Sequence, residues 1–83
     1  MPFRAKTGDT EALFDTVNAT IDYAVAYLRQ LNNQSVLAYS VHSRTKICEV
    51  QRITLEIDLN IGSAVYITDK TSGTTVTLSR VRL

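Results

Sequence analysis

The period of the hydrophobic pattern changes once along this chain, and that change limits the fold more than any other feature. Between Asp9 and Leu31, the residues Leu13, Phe14, Val17, Ile21, Ala24, Val25, Leu28 and Leu31 fall on one arc when wound at 3.6 residues per turn. That spacing predicts one amphipathic helix with an apolar stripe wide enough to cover a sheet. Asp9 offers a short acceptor side chain as its N-cap, with Glu11 in the first turn to favour the positive end of the helix dipole. Asn32-Asn33 supplies a residue that tolerates the left-handed cap conformation at the other end. Such a helix would be about 33 Å long.

After Gln34 the pattern reads as strand almost to the last residue. Val36 to Ser43 is a first strand, with Leu37, Tyr39 and Val41 alternating against Ala38, Ser40 and His42. Ser43-Arg44-Thr45-Lys46 is a polar turn. Ile47 to Leu59 is a long second strand, and Ile53-Thr54-Leu55-Glu56-Ile57-Asp58-Leu59 is the cleanest period-2 alternation in the chain. Cys48 and Val50 are out of phase with it, so a bulge is expected between Glu49 and Arg52. Asn60-Ile61-Gly62 is a turn, Ala64 to Asp69 a third strand, Lys70 to Gly73 another turn and Thr74 to Leu83 a fourth strand. A second phase slip, between Leu78 and Val81, places another bulge near Ser79.

The expected architecture is therefore a two-layer α+β domain over residues 1–83: an N-terminal segment (1–8) that is flexible or a short strand, a helix (9–31) and a four-stranded antiparallel meander (35–83). This order of elements is similar to the cystatin-like layout, in which a curved antiparallel sheet grips one long helix. The resemblance is one of topology. The stretch Lys46-Ile47-Cys48-Glu49-Val50-Gln51 has no glycine and does not match the Q-x-V-x-G hairpin tip of the cystatin protease inhibitors. The Pro-Trp loop is missing too, because the only proline is Pro2 and there is no tryptophan.

Composition narrows the functional classes. The chain has 83 residues, 45% hydrophobic and 20% charged, with a formal net charge of +1, so no global field draws it toward nucleic acid or an anionic membrane. The single cysteine, Cys48, forms no internal disulfide. No apolar run serves as a signal peptide, and the longest, Tyr23 to Leu28, is far too short to span a bilayer. These features lead us to expect a soluble, cytoplasmic protein. The two glycosylation sequons, Asn18-Ala19-Thr20 and Asn33-Gln34-Ser35, are read as accidental. A native-looking Met1 and an ending on a strand give the chain the look of a complete small gene product. Such proteins are often accessory regulators or inhibitors, including those of phages.

The residues do not assemble an obvious reaction centre, and we expect no enzyme, no cofactor and no metal. In a hairpin with a two-residue loop, His42 pairs with Ile47 and Cys48 lies opposite Val41. The nucleophile and base would then be on opposite sides of the sheet. One histidine and one cysteine do not fill a closed coordination shell. Asp15 and Asp22 would stand about 10 Å apart along the helix, and Gly8, Gly62 and Gly73 are isolated turn residues.

Two surfaces remain. On the helix flank, Ala12, Ala19 and Ala26 recur at seven-residue spacing beside Thr16, Tyr23 and Tyr27, a pattern that lets another backbone approach closely. This flank is the expected interface of a homo-oligomer, most simply a homodimer, or with an unknown protein partner. Arg44, Lys46, Arg52, Arg80 and Arg82 would share one sheet face in a meander, and there they would suit an anionic or phosphorylated small ligand or a nucleotide. The leading expectation is a non-enzymatic protein-interaction or regulatory domain. The anion-binding module is one alternative, and a structural subunit of a larger assembly is another.

Overall fold

The computed structural model describes residues 2–31, 33–34, 36–43 and 46–81, with the backbone alone for 42–43 and 46–49. The chain runs β1 (Phe3–Thr7), β2 (Thr10–Phe14), α1 (Val17–Leu31), β3 (Leu37–Ser43), β4 (Lys46–Glu49), α2 (Arg52–Ile61), β5 (Val65–Asp69) and β6 (Thr75–Arg80). It is an α+β protein, as the sequence implies, but the described residues form two helices and a six-stranded sheet of order β2-β1-β6-β5-β3-β4. Every paired strand is antiparallel.

The expected helix begins eight residues too early. Thr7 pairs with Thr10 across a two-residue loop, Gly8-Asp9, in which Gly8 takes φ 56°. A glycine with positive φ at the first loop position is the type II′ hairpin signal, so Asp9 is a turn residue and caps no helix. The helix starts at Thr16 instead, whose Oγ1 accepts the Ala19 N–H at 3.1 Å while its carbonyl accepts the Thr20 N–H at 3.2 Å. Leu13 and Phe14, expected on the helical stripe, therefore lie on β2. Of the rest of that stripe, Ile21, Ala24 and Leu28 are buried, whereas Leu31 is exposed.

The long second strand is the other correction. It ends at Glu49, and the segment of cleanest alternation is helix α2. The phase slip at Glu49–Arg52 marks the boundary between strand and helix, with no bulge needed. Gly62 closes α2 with φ 103°; its N–H bonds to Leu59 O, and the Ser63 N–H bonds to Asp58 O at 2.9 Å. This pair of bonds is the Schellman motif, and glycine fits it because only glycine takes that φ at no steric cost. The slip near Ser79 also needs no bulge. Pairing with β1 is continuous from Lys6–Thr77 to Phe3–Arg80, and Val81 lies just past the strand.

Both helices cover the same face of the sheet. Phe3 and Ala5 on β1, Val65 and Ile67 on β5, and Val76 and Leu78 on β6 meet Ile21, Ala24 and Leu28 of α1 and Leu55 and Leu59 of α2 in one core. Leu37, Tyr39 and Val41 pack on its rim. The meander and the cystatin-like layout are not what forms, because β1 inserts beside β6 and the β5–β6 hairpin sits at the middle of the sheet.

The order also has an internal two-fold pattern. Exchanging β1-β2-α1 with β3-β4-α2, and β5 with β6, reproduces the same sheet. The exchange sets Val65 on Val76, Ile67 on Leu78 and Phe3 on Leu37, each an apolar residue facing the helices.

Candidate functional site

Alternation of period 2 has an unusual consequence when it is wound into a helix. In Ile53-Thr54-Leu55-Glu56-Ile57-Asp58-Leu59-Asn60-Ile61 every second residue is apolar. At 3.6 residues per turn these residues divide into two stripes about 180° apart. Leu55 and Leu59 form the inner stripe and are fully buried. Ile53, Ile57 and Ile61 form the outer one, spaced i, i+4, i+8, and remain 64%, 59% and 67% exposed. A helix of a small domain normally turns a polar face outward. This one presents a ridge of isoleucine.

A groove of about 390 Å³ adjoins the ridge, lined by Val17 and Asn18 of α1 and by Glu56, Ile57, Asn60 and Ile61 of α2. The two helices run antiparallel here, with the start of α1 beside the end of α2. They are tied together by Arg52, which pairs with Asp22 of α1 and, at 3.4 Å, with Glu56 one turn further along α2. The hydrogen bond to Asp22 is the main reason the Arg52 guanidinium is held above its ordinary pKa. At the C-terminal end of α2, Arg80 donates to Asn60 O at 2.7 Å, where a cation suits the exposed helix carbonyls.

The arginines expected to converge on one face do not do so among the described residues. Arg52 opens α2 in the helical layer, and Arg80 ends β6 beneath the far end of that helix; each holds an oxygen partner. Arg44, Arg82 and the side chain of Lys46 lie outside the described residues. On the helix flank, Ala19 and Ala26 are exposed, but Ala12 lies on β2, so the seven-residue series does not continue along one helix. Thr16 is the α1 cap. Tyr23 and Tyr27 are half-buried against the core, and Tyr23 lies 5.0 Å from Phe14 and 6.3 Å from Tyr27, ring centre to ring centre.

On β3 and β4, Val41 is opposite Cys48 and His42 opposite Ile47, the register expected of a two-residue loop; the side chains of His42, Ile47 and Cys48 lie outside the described residues. On the sheet face away from the helices, Arg4 and Lys6 stand 3.7 and 3.9 Å from Glu11. Among the described residues, no group of three or more His, Cys, Asp or Glu side chains is placed to hold a metal ion, and no helix is long and apolar enough to cross a membrane.

The ridge on α2 is hidden in the sequence because an alternation of period 2 over a short apolar run fits a strand as well. Gly62, directly after the last apolar residue of the run, was the available sign of a helix end. No family model, curated protein or solved structure matches the chain.

Proposed function

We propose that this protein is a non-enzymatic interaction domain that acts by binding another macromolecule, with the outer face of α2 and the adjoining groove as its contact surface. One observation carries the reading: three isoleucines in a row, each about 60% exposed, on the side of a helix opposite the core. Isolated exposed apolar residues are ordinary, but a contiguous ridge beside a groove marks a contact site. Full burial of an isoleucine is worth roughly 1.5 to 3 kcal/mol, so covering what remains exposed yields about 3 to 6 kcal/mol for the three together. Association costs about 4 to 15 kcal/mol in lost freedom of motion. The ridge alone therefore gives weak binding, and the partner must also fill the groove.

A photo-crosslinking residue placed at Ile57 tests this directly. Expected is a discrete adduct in extracts of the native host, absent when the same residue replaces Ser79 on the opposite sheet face. Equal labelling from both positions, or none from Ile57, would defeat the reading.

The homo-oligomer expected from the helix flank has less support, since Ala19 and Ala26 remain exposed on α1 but Ala12 does not join them. Its test is Ala19→Arg, which should halve the mass of any dimer built on that flank. An anion site has less support still, because Arg52 and Arg80 stand apart and each is already bonded.

A further inference from the structure

Strand β2 pairs with β1 on one side and, among the described residues, has no strand on the other. The hairpin decides which backbone groups point off that edge. The residues closing a two-residue loop, here Thr7 and Thr10, exchange hydrogen bonds, and bonded pairs then alternate along the strands. Ala5–Ala12 and Phe3–Phe14 are therefore bonded pairs too. Lys6–Glu11 and Arg4–Leu13 fall between them, so the N–H and C=O groups of Glu11 and Leu13 point away from β1.

An open edge is a template for another strand unless proline, a bulge or uncompensated charge blocks it. None does so here. The register with β1 is unbroken, and Thr10 to Phe14 contain no proline. The one charge, Glu11, is met by Arg4 at 3.7 Å and Lys6 at 3.9 Å. Leu13, 47% exposed, shares the open sheet face with Glu11. On the helix side of the same edge, the half-buried rings of Phe14, Tyr23 and Tyr27 form a row. Ala12 falls outside the alanine series of α1, yet it stands at the middle of this edge.

The same edge of a second copy fits this template. Two copies of β2 related by a two-fold axis overlap along their whole length in one antiparallel register, with Ala12 on the axis. Glu11 then lies opposite Leu13 of the second copy and Thr10 opposite its Phe14, and Glu11 and Leu13 exchange the backbone bonds. Ala12 meets its counterpart in the closely spaced position, about 4.5 Å between Cα atoms, where a methyl group fits. Sliding by two residues toward the loop sets Glu11 against Glu11, a like-charge pair. Sliding the other way leaves only Ala12 to Phe14 overlapping. Pairing β2 with β4 of another copy would leave an edge open at each end and propagate, whereas the two-fold pairing closes.

We propose that β2 pairs antiparallel with β2 of a second copy about an axis at Ala12, joining the two sheets edge to edge. Leu13 gains cover on the open face, and the Phe14, Tyr23 and Tyr27 rings gain it on the helix side. Helix α2 lies over the other half of the sheet, toward β3, so both isoleucine ridges stay free. The pairing goes beyond the proposed contact surface and does not depend on it.

Sedimentation and amide hydrogen exchange of the full chain test it. As concentration rises, the mass should climb from 9.2 kDa toward twice that value, and exchange at the Glu11 and Leu13 amides should slow over the same range. Leu13→Glu sets carboxylates opposite Glu11 at both symmetric positions and should weaken the dimer roughly tenfold or more. Adding Glu11→Lys converts each of these into an opposite-charge pair and should restore most of the affinity, which loss of the fold would not allow.

A mass that holds at 9.2 kDa up to about millimolar concentration would overturn the proposal. So would Glu11 and Leu13 amides whose exchange ignores concentration, a result that needs no variant. A dimer that survives Leu13→Glu, or one that Ile57→Ser abolishes, would place the second copy on another surface. A double variant no better than Leu13→Glu alone would overturn the register about Ala12.

Discussion

Asp69 is a carboxylate with no exposure to water, and the bonds around it explain why the chain turns where it does. Its Oδ1 accepts the Thr71 N–H and its Oδ2 the Ser72 hydroxyl, both at 2.9 Å, while its backbone carbonyl accepts the Gly73 N–H at 2.8 Å. The side chain thus closes the β5–β6 loop from within. Asp69→Ala would leave the Thr71 N–H and the Ser72 hydroxyl without this acceptor and should cost about 2 to 4 kcal/mol, read from urea unfolding. Asp69→Asn keeps an oxygen in place and should cost about half as much. Equal losses from the two variants would show that volume, not hydrogen bonding, holds the loop. That a turn falls at Lys70 to Gly73 is legible from the residues themselves, with glycine at a position of φ 78°. The burial of Asp69 is not, because it rests on contacts far back in the sequence, Asp69 lying opposite Leu37 at the start of β3 while the Lys70 N–H bonds to Val36 O just before that strand.

At the scale of elements, β3, β5, the following turn and most of β6 were legible, and the errors share one cause. Period 2 and period 3.6 are both satisfied over short apolar runs, so the pattern alone does not choose between strand and helix. At Thr10 to Phe14 a hairpin prevailed over helical spacing, since the Gly8-Asp9 loop lets β2 pair with β1 along its whole length. At Arg52 to Ile61 helix prevailed over alternation, helped by the Gly62 cap and by the Arg52 tie to Asp22. The two readings of this segment make opposite forecasts. In a strand, Leu55, Ile57 and Leu59 share one face, and truncating each should cost about the same. In helix α2, Leu55→Ala or Leu59→Ala should cost about 2 to 5 kcal/mol and Ile57→Ala less than about 0.5 kcal/mol. Denaturant midpoints of the three single variants decide it, and a large loss at Ile57 would contradict the outward face on which the proposed contact surface depends.

The order of the whole sheet was the least legible property, because it is fixed by pairings between distant parts of the chain. Local periodicity records that Phe3 to Thr7 alternates, but not that Phe3 lies opposite Arg80. That pairing joins the two outer units, β1-β2-α1 and β3-β4-α2, through the central β5–β6 hairpin, and it puts β1 inside the sheet, flanked by β2 and β6. A segment expected to be flexible or a minor strand therefore contributes Phe3 and Ala5 to the core, at 6% and 1% exposure. Phe3→Ala should cost about 3 to 5 kcal/mol, whereas Thr10→Ala on the exposed edge strand should stay within about 0.5 kcal/mol. A domain of this size holds only about 5 to 10 kcal/mol in total, so the Phe3 variant should lose roughly half of it and unfold at a correspondingly lower denaturant concentration. A loss below about 1 kcal/mol would mean that β1 is not part of the cooperative core. The sheet would then end at β6, and the two-fold pattern would lose one of its halves.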